Sequence, residues 1–172
     1  EKVFSFDTEG KANSQKGIYR ISNHFVHFYF RFLYPNRSAL VLMSADEFYE
    51  KNIQFSFKNF AALYFNEICK QRIEKWNQEE KLPIAIDRIG EWVGKSGNVD
   101  VVAQDENGRT LAAYCNWEKS VMQYGDYEKL LSSMGKAKLK ADTIYLFSIQ
   151  RFDEKLSLEA KMKKNLKLIS LE

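Results

Sequence analysis

Asn98-Val-Asp-Val-Val-Ala-Gln-Asp-Glu-Asn-Gly-Arg-Thr-Leu-Ala-Ala-Tyr-Cys-Asn-Trp117 holds two alternating runs joined by a Gly-bearing turn. Val99, Val101 and Ala103 alternate with Asp100, Val102 and Gln104. Leu111, Ala113, Cys115 and Trp117 then alternate with Thr110, Ala112, Tyr114 and Asn116. Period two over two such runs is the signature of a β-hairpin. A three-residue loop Glu106-Asn107-Gly108, with Gly108 left-handed, sets Asp100 opposite Tyr114. That register gathers the seven apolar residues on one face and leaves one acid, Asp100, on the other. A two-residue loop would mix the faces, so the longer loop is expected.

The hairpin resembles restriction-endonuclease-like nucleases of the PD-(D/E)XK type, in which a strand Asp faces a Glu-X-Lys on the next strand. It is more similar still to the domain C-terminal to the nucleoside triphosphatase in a large (DEXX-box-type) family of archaeal and bacterial ATPases. There the stretch runs roughly Glu-Ile-Asp-Ile-Val-Ala, a turn, then Gly-Glu-Cys-Lys-Trp. The matching residues here are Asn98-Val-Asp-Val-Val-Ala103 and Ala113-Tyr-Cys-Asn-Trp117. Tyr19-Arg-Ile-Ser-Asn-His-Phe25, Phe32-Leu-Tyr-Pro-Asn-Arg-Ser38, Ile89-Gly-Glu-Trp-Val-Gly-Lys95 and Tyr145-Leu-Phe-Ser148 resemble further signatures, in order along the chain.

The resemblance implies an α/β fold: a restriction-endonuclease-like mixed sheet flanked by helices, after a helical segment and the remnant of a winged-helix region. It divides the chain into 1–20, the tail of the winged-helix region, 21–56, a helical linker, and 57–172, the nuclease-like domain. The departures bear on chemistry. The family Glu falls on Tyr114 and the family Lys on Asn116, which leaves Asp100 and, on an early helix, Glu67. A hard cation wants several oxygen ligands, and hydrolysis of a phosphodiester with its help needs the ion to generate hydroxide. The site therefore reads as a degenerate nuclease, with no cofactor expected. Read alone, Asp100 is equally an ordinary strand residue, and Glu67 an ordinary surface glutamate.

The chain has 172 residues, enough for one domain, and its 13 Phe and 9 Tyr supply a substantial core. Two distant cysteines, Cys69 and Cys115, form no metal motif; a reduced, cytoplasmic protein is expected. Glu1 in place of Met reads as the start of a fragment. Every apolar run is interrupted by charged or amide residues, so no membrane partner is expected. The net charge is +3. Lys119, Lys129 and Lys136 are candidate phosphate contacts, although solvated helix faces give the same pattern.

Residues 22–34 read as a helix capped by Ser22 or Asn23 and stopped by Pro35, with aromatics on nearly all sides. Its His24 and His27 lack further metal ligands in sequence and read as packing or capping residues. A polar connection spans 46–54. A helix follows over 57–76, with Phe60, Leu63, Tyr64, Glu67, Ile68 and Ile73 at helical spacing. Then come a strand over 84–89, the hairpin, a helix over 125–140 with Tyr127, Leu130, Leu131 and Met134 inward, and a strand over 143–148. A helix over 153–163 and a last strand over 166–171 complete the order. Gly94-Lys95-Ser96 lacks the upstream glycine of a phosphate loop and reads as a turn.

Three functions follow. The leading one is a non-catalytic domain that binds nucleic acid or docks on the ATPase module of its own polypeptide. The second is an active Mg-dependent nuclease whose ligands have migrated to Glu118, Lys119 or Gln123. The third is a protein-binding module that uses the aromatic helix from Phe25 to Tyr34.

Overall fold

The hairpin forms as its alternation predicts and lies at the centre of a larger sheet. The computed structural model describes residues 2–12, 18–95, 97–117 and 121–171. In chain order its strands and α-helices are β1 (Lys2–Val3), β2 (Ser5–Phe6), β3 (Ile18–Tyr19), α1 (His24–Phe28), α2 (Arg37–Leu42), α3 (Ala45–Asn52) and α4 (Gln54–Gln78). They continue as β4 (Arg88–Gly94), β5 (Gly97–Gln104), β6 (Thr110–Asn116), β7 (Val121–Met122), α5 (Tyr124–Ala137), β8 (Thr143–Ser148), β9 (Arg151–Phe152), α6 (Glu154–Met162) and β10 (Leu166–Ser170). Six strands pair in the order β10-β8-β6-β5-β4-β2. The β4–β5 and β5–β6 pairs are antiparallel; β6–β8, β8–β10 and β2–β4 are parallel.

Between β5 and β6, Gln104 pairs with Thr110 and Val101 with Ala113, as the three-residue loop predicts, but Asp100 does not come to face Tyr114: it hydrogen-bonds Asn66 of α4, whereas Tyr114 packs in the α5 layer. Gly108 closes the three-residue loop at φ +81°, and its N–H donates to the Asp105 carbonyl at 3.1 Å. The Asp105 carboxylate also accepts from the N–H groups of Asn107 and Arg109. One side chain thus organises the turn.

Both faces of the sheet are covered. Leu111, Ala113, Tyr145 and Phe147 pack with Phe65, Cys69 and Ile73 of α4. Ala112, Ile144, Leu146 and Leu166 pack with Tyr127, Leu130 and Met134 of α5 and Leu156 of α6. This explains the unbroken burial of β8 from Thr143 to Ser148.

The period-two reading fails at one residue. Gly90 pairs with Val102 and Trp92 with Val99, so Asp100 and Val101 together oppose Glu91. This β-bulge carries Val99 into the α5 layer, while Val101 stays in the α4 layer. Six of the seven expected residues share the α4 face.

Other boundaries shift for local reasons. Asn23 does cap α1, accepting from Val26 N–H at 2.9 Å. Pro35 does not stop the helical path: a π-turn (Tyr29–Leu33) leads into a 3₁₀ turn (Tyr34–Asn36), whose first turn accepts proline without an N–H, and α2 follows. The connection expected over 46–54 is mostly α3, opened by a reciprocal capping box between Ser44 and Glu47. The strand expected over 84–89 begins only at Arg88; before it, the Asn77 side chain satisfies both backbone polar groups of Ile86. On α4 the buried positions are Phe65, Cys69, Lys70 and Ile73, whereas Leu63 and Ile68 are exposed. Ser5 and Phe6, within the segment expected as a winged-helix tail, extend the main sheet beside Glu91 and Trp92. No helix among the described residues is long and apolar enough to cross a membrane.

Candidate functional site

The bulge holds the acid that the sequence singled out. Asp100 is buried, and both of its carboxyl oxygens have donors: Asn98 Nδ2 to Oδ1 at 2.8 Å, and Cys115 N–H to Oδ2 at 2.9 Å. The Asn66 side chain of α4 adds a further hydrogen bond. Burial pushes the Asp100 carboxyl up to about 6, the Cys115 N–H opposes that rise, and the charge of Glu91 adds to it.

The neighbouring acids are held separately. Glu91, 3% exposed, receives Arg20 Nη2 on both carboxylate oxygens at 2.9 Å, from a residue 71 positions away. Glu67 pairs with Lys70 at 2.8 Å, and Lys70 is itself buried. The helix residue that reaches Asp100 is therefore Asn66, one position before the expected Glu67. Cys115 follows Tyr114 on β6; burial, then contact with Cys69, pushes its thiol well up, so the pair is inert apolar filling rather than a thiolate site.

A divalent cation needs carboxylates that converge on one point. Here Asp100, Glu91 and Glu67 are each engaged by different protein donors. Among the described residues no three His, Cys, Asp or Glu side chains are grouped to hold a metal ion. Among the described residues these three carboxylates do not converge as Mg²⁺ requires. Of the proposed migrated ligands, Gln123 caps α5 in a reciprocal box with Asp126, while Glu118 and Lys119 lie outside the described residues. His24 and His27 contact Tyr64, His24 by ring packing at 4.2 Å and His27 by a hydrogen bond to the hydroxyl.

Across β5 from the α4 layer, a recess of about 320 Å³ lies between the sheet and α5. Asn98, Tyr114, Lys129, Ser132, Ser133 and Lys136 line it, with Gly97 and Leu130. Three expected site residues, Tyr114, Lys129 and Lys136, thus meet in one cavity. Asn116 does not line it; it is buried at the end of β6, in register with Ser148. Asn98 connects the two halves of the site, lining the recess while donating to Asp100. Gly97 permits the close approach of strand and helix: a Cβ there would sit 2.6 Å from Ser133 Oγ. Sequence reasoning missed Asn66, Lys70, Arg20 and Glu91. Glu91 and Arg20 had a signal, since they stand inside the quoted segments 89–95 and 19–25, and Asn66 and Lys70 lie within one turn of Glu67, but no spacing showed that these residues meet.

The mixed sheet and its flanking helices define a domain consistent with a restriction-endonuclease-like core, with a neutral and cationic lining beside the hairpin. The chain belongs to the DUF234 family, described as archaeal and bacterial proteins of unknown function, whose signature matches residues 29–130. It is also similar to the uncharacterised protein MJECL04 of Methanocaldococcus jannaschii, 26% identical over 162 residues, a match covering 82% of this chain. The chain spans 36% of that relative's length. No solved structure matches.

Proposed function

We propose that this domain keeps a nuclease-like framework without its hydrolytic chemistry and binds the phosphate backbone of nucleic acid, as the C-terminal part of an ATPase. The observation that carries this reading is the convergence of Lys129 and Lys136 with Tyr114 in the recess against α5, which is linked to Asp100 only through the Asn98 side chain. The lining offers cations and hydroxyls, a chemistry that suits phosphate oxygens rather than a metal ion. Asp100, saturated by internal donors, is a structural residue of the bulge. The ATPase partner rests on the sequence resemblance, and much of the archaeal relative lies outside the match.

The test is fluorescence anisotropy with a labelled DNA duplex and an RNA duplex. Affinity is expected to fall steeply between about 50 and 200 mM salt, because each phosphate contact releases counterions. Replacing Lys129 and Lys136 by Ala should flatten that slope. Binding that ignores salt, or no binding to either duplex, removes this reading. In parallel, incubation of plasmid with Mg²⁺ or Mn²⁺ beside an Asp100→Ala control is expected to give no cleavage; cleavage abolished by the substitution would favour the active-nuclease alternative.

A second reading has its own observation. Phe25, Phe30 and Tyr34 are 70%, 54% and 45% exposed, and the Tyr29, Phe30 and Tyr34 rings contact one another. Exposed aromatic groups of this kind mark interaction surfaces. This supports a docking role for the helical arm, compatible with nucleic-acid binding elsewhere.

A further inference from the structure

The recess has the dimensions of a small-ligand pocket: about 320 Å³ lies at the lower end of the range for such sites. Its chemistry is divided. Lys129, Ser132, Ser133 and Lys136 follow one another at helical spacing along a single face of α5, so two ammonium groups flank two hydroxyls. On the sheet side stand the Tyr114 phenol, half-buried against the core, and the Asn98 amide, with the buried Leu130 beneath. The acid nearest Lys129 is Asp126, paired at 3.6 Å but almost wholly buried, while the lysine side chain is 73% exposed.

We propose that this recess takes the phosphate of a single nucleotide unit, a terminal phosphomonoester carried on a strand end or on a free nucleotide. The proposal rests on the nucleic-acid reading above and narrows it. A phosphomonoester carries between one and a half and two negative charges near neutrality. An internal diester carries one, so a pocket with two lysines and several hydroxyl donors favours the monoester. Lys129 and Lys136 neutralise the charge, Ser132 and Ser133 donate to the terminal oxygens, and Tyr114 forms a wall for the sugar or base. Aromatic faces accept any base, so this contact carries little sequence preference.

The experiment uses the whole chain and single-stranded oligonucleotides of one sequence, with a terminal phosphate and with a terminal hydroxyl. The phosphorylated strand is expected to bind about tenfold more tightly, an advantage that charge-assisted hydrogen bonds can supply. The Lys129→Ala/Lys136→Ala variant should lose that advantage. Ser133→Ala, a smaller change on a partly exposed residue, should lose part of it while leaving the fold intact by circular dichroism. Competition by adenosine monophosphate assigns the site to free nucleotides; failure of the mononucleotide to compete, with the end preference retained, assigns it to strand ends. Competition by inorganic phosphate alone limits recognition to the phosphoryl group and overturns the nucleotide wall. Equal affinity for both strands, with steep salt dependence, overturns the terminal-phosphate proposal and leaves backbone binding standing. No binding of either strand, with no binding of the mononucleotide by calorimetry, overturns both.

Discussion

Asp100 places a carboxyl group where folding disfavours its charged form. Its value of about 6 in the folded protein lies above the ordinary 3.8, because burial outweighs the hydrogen bonds it accepts. For an acid whose value is raised by folding, the folded state binds the extra proton, so the associated stability is present below about pH 4 and is lost as pH rises through about 6. At 1.36 kcal/mol per unit, the difference amounts to roughly 3 kcal/mol. The expected outcome is a wild-type stability that falls with pH across this window relative to Asp100→Asn. The amide retains an oxygen for Cys115 N–H, and Asn98 can turn its own amide to accept. Urea unfolding of both proteins from about pH 4 to 8 measures this, and a difference curve that stays flat would remove the charged-state cost assigned to Asp100.

Asp153 shows how one side chain can organise two elements. Its Oδ1 accepts Leu156 N–H at 2.6 Å and caps α6, while its Oδ2 accepts Tyr124 N–H at 2.8 Å at the start of α5. Losing a single cap costs about 1 kcal/mol. Asp153→Ala, which orphans two helix-start donors, is therefore expected to cost on the order of 2 kcal/mol, with Asp153→Asn recovering part of it. The midpoint of urea denaturation reads both, and an Ala variant as stable as wild type would show that water replaces both bonds. The α6 boundary was legible because an acid before an apolar-periodic run is a local signal. The Ser44–Glu47 box is an equally local signal for α3, but the polar composition around it masked it. The Asp100–Val101 bulge left no local signal. Alternation reads the same whether or not a strand contains one extra residue, so Val99 could be placed only once β4 was beside β5. The α4 stripe was misread because aromatic and aliphatic residues occur on several sides of that helix, and only the sheet decides which are covered.

From α4 to β10 the order of the main helices and strands was legible because each of those strands is a short run with turn residues at its ends, whereas β2, α2, α3 and the short β7–β9 pair were not. The site was legible only where it is local: the pairing of Val101 with Ala113 followed from the hairpin loop, whereas the bulge turned Asp100 to the α4 side, away from Tyr114. The Arg20–Glu91 pair, the Asn66 contact and the recess against α5 arise from chain crossings that no spacing encodes. The same limit applied to the aromatic arm, whose composition predicted either burial or an interface. The structure divides it. Phe32 joins Phe48 and Ile53 in a small core, while Tyr34 lies under the Arg37 guanidinium at 4.5 Å and Phe30 stays open. Val41, Leu42 and Phe55 are 84%, 82% and 96% exposed on the neighbouring helices. Exposed side chains contribute little to folding, so Phe30→Lys/Phe55→Lys is expected to change stability by no more than about 0.5 kcal/mol per site. If these groups form a contact surface, the wild-type chain should associate weakly with rising concentration in sedimentation velocity, because uncovered apolar area is removed from water when two such surfaces meet. The double variant should remain monomeric over the same range. A wild-type chain that sediments as a monomer throughout, with unchanged binding of a hydrophobic dye in the variant, would mean that these side chains are scattered surface residues and that the arm has no docking role of its own.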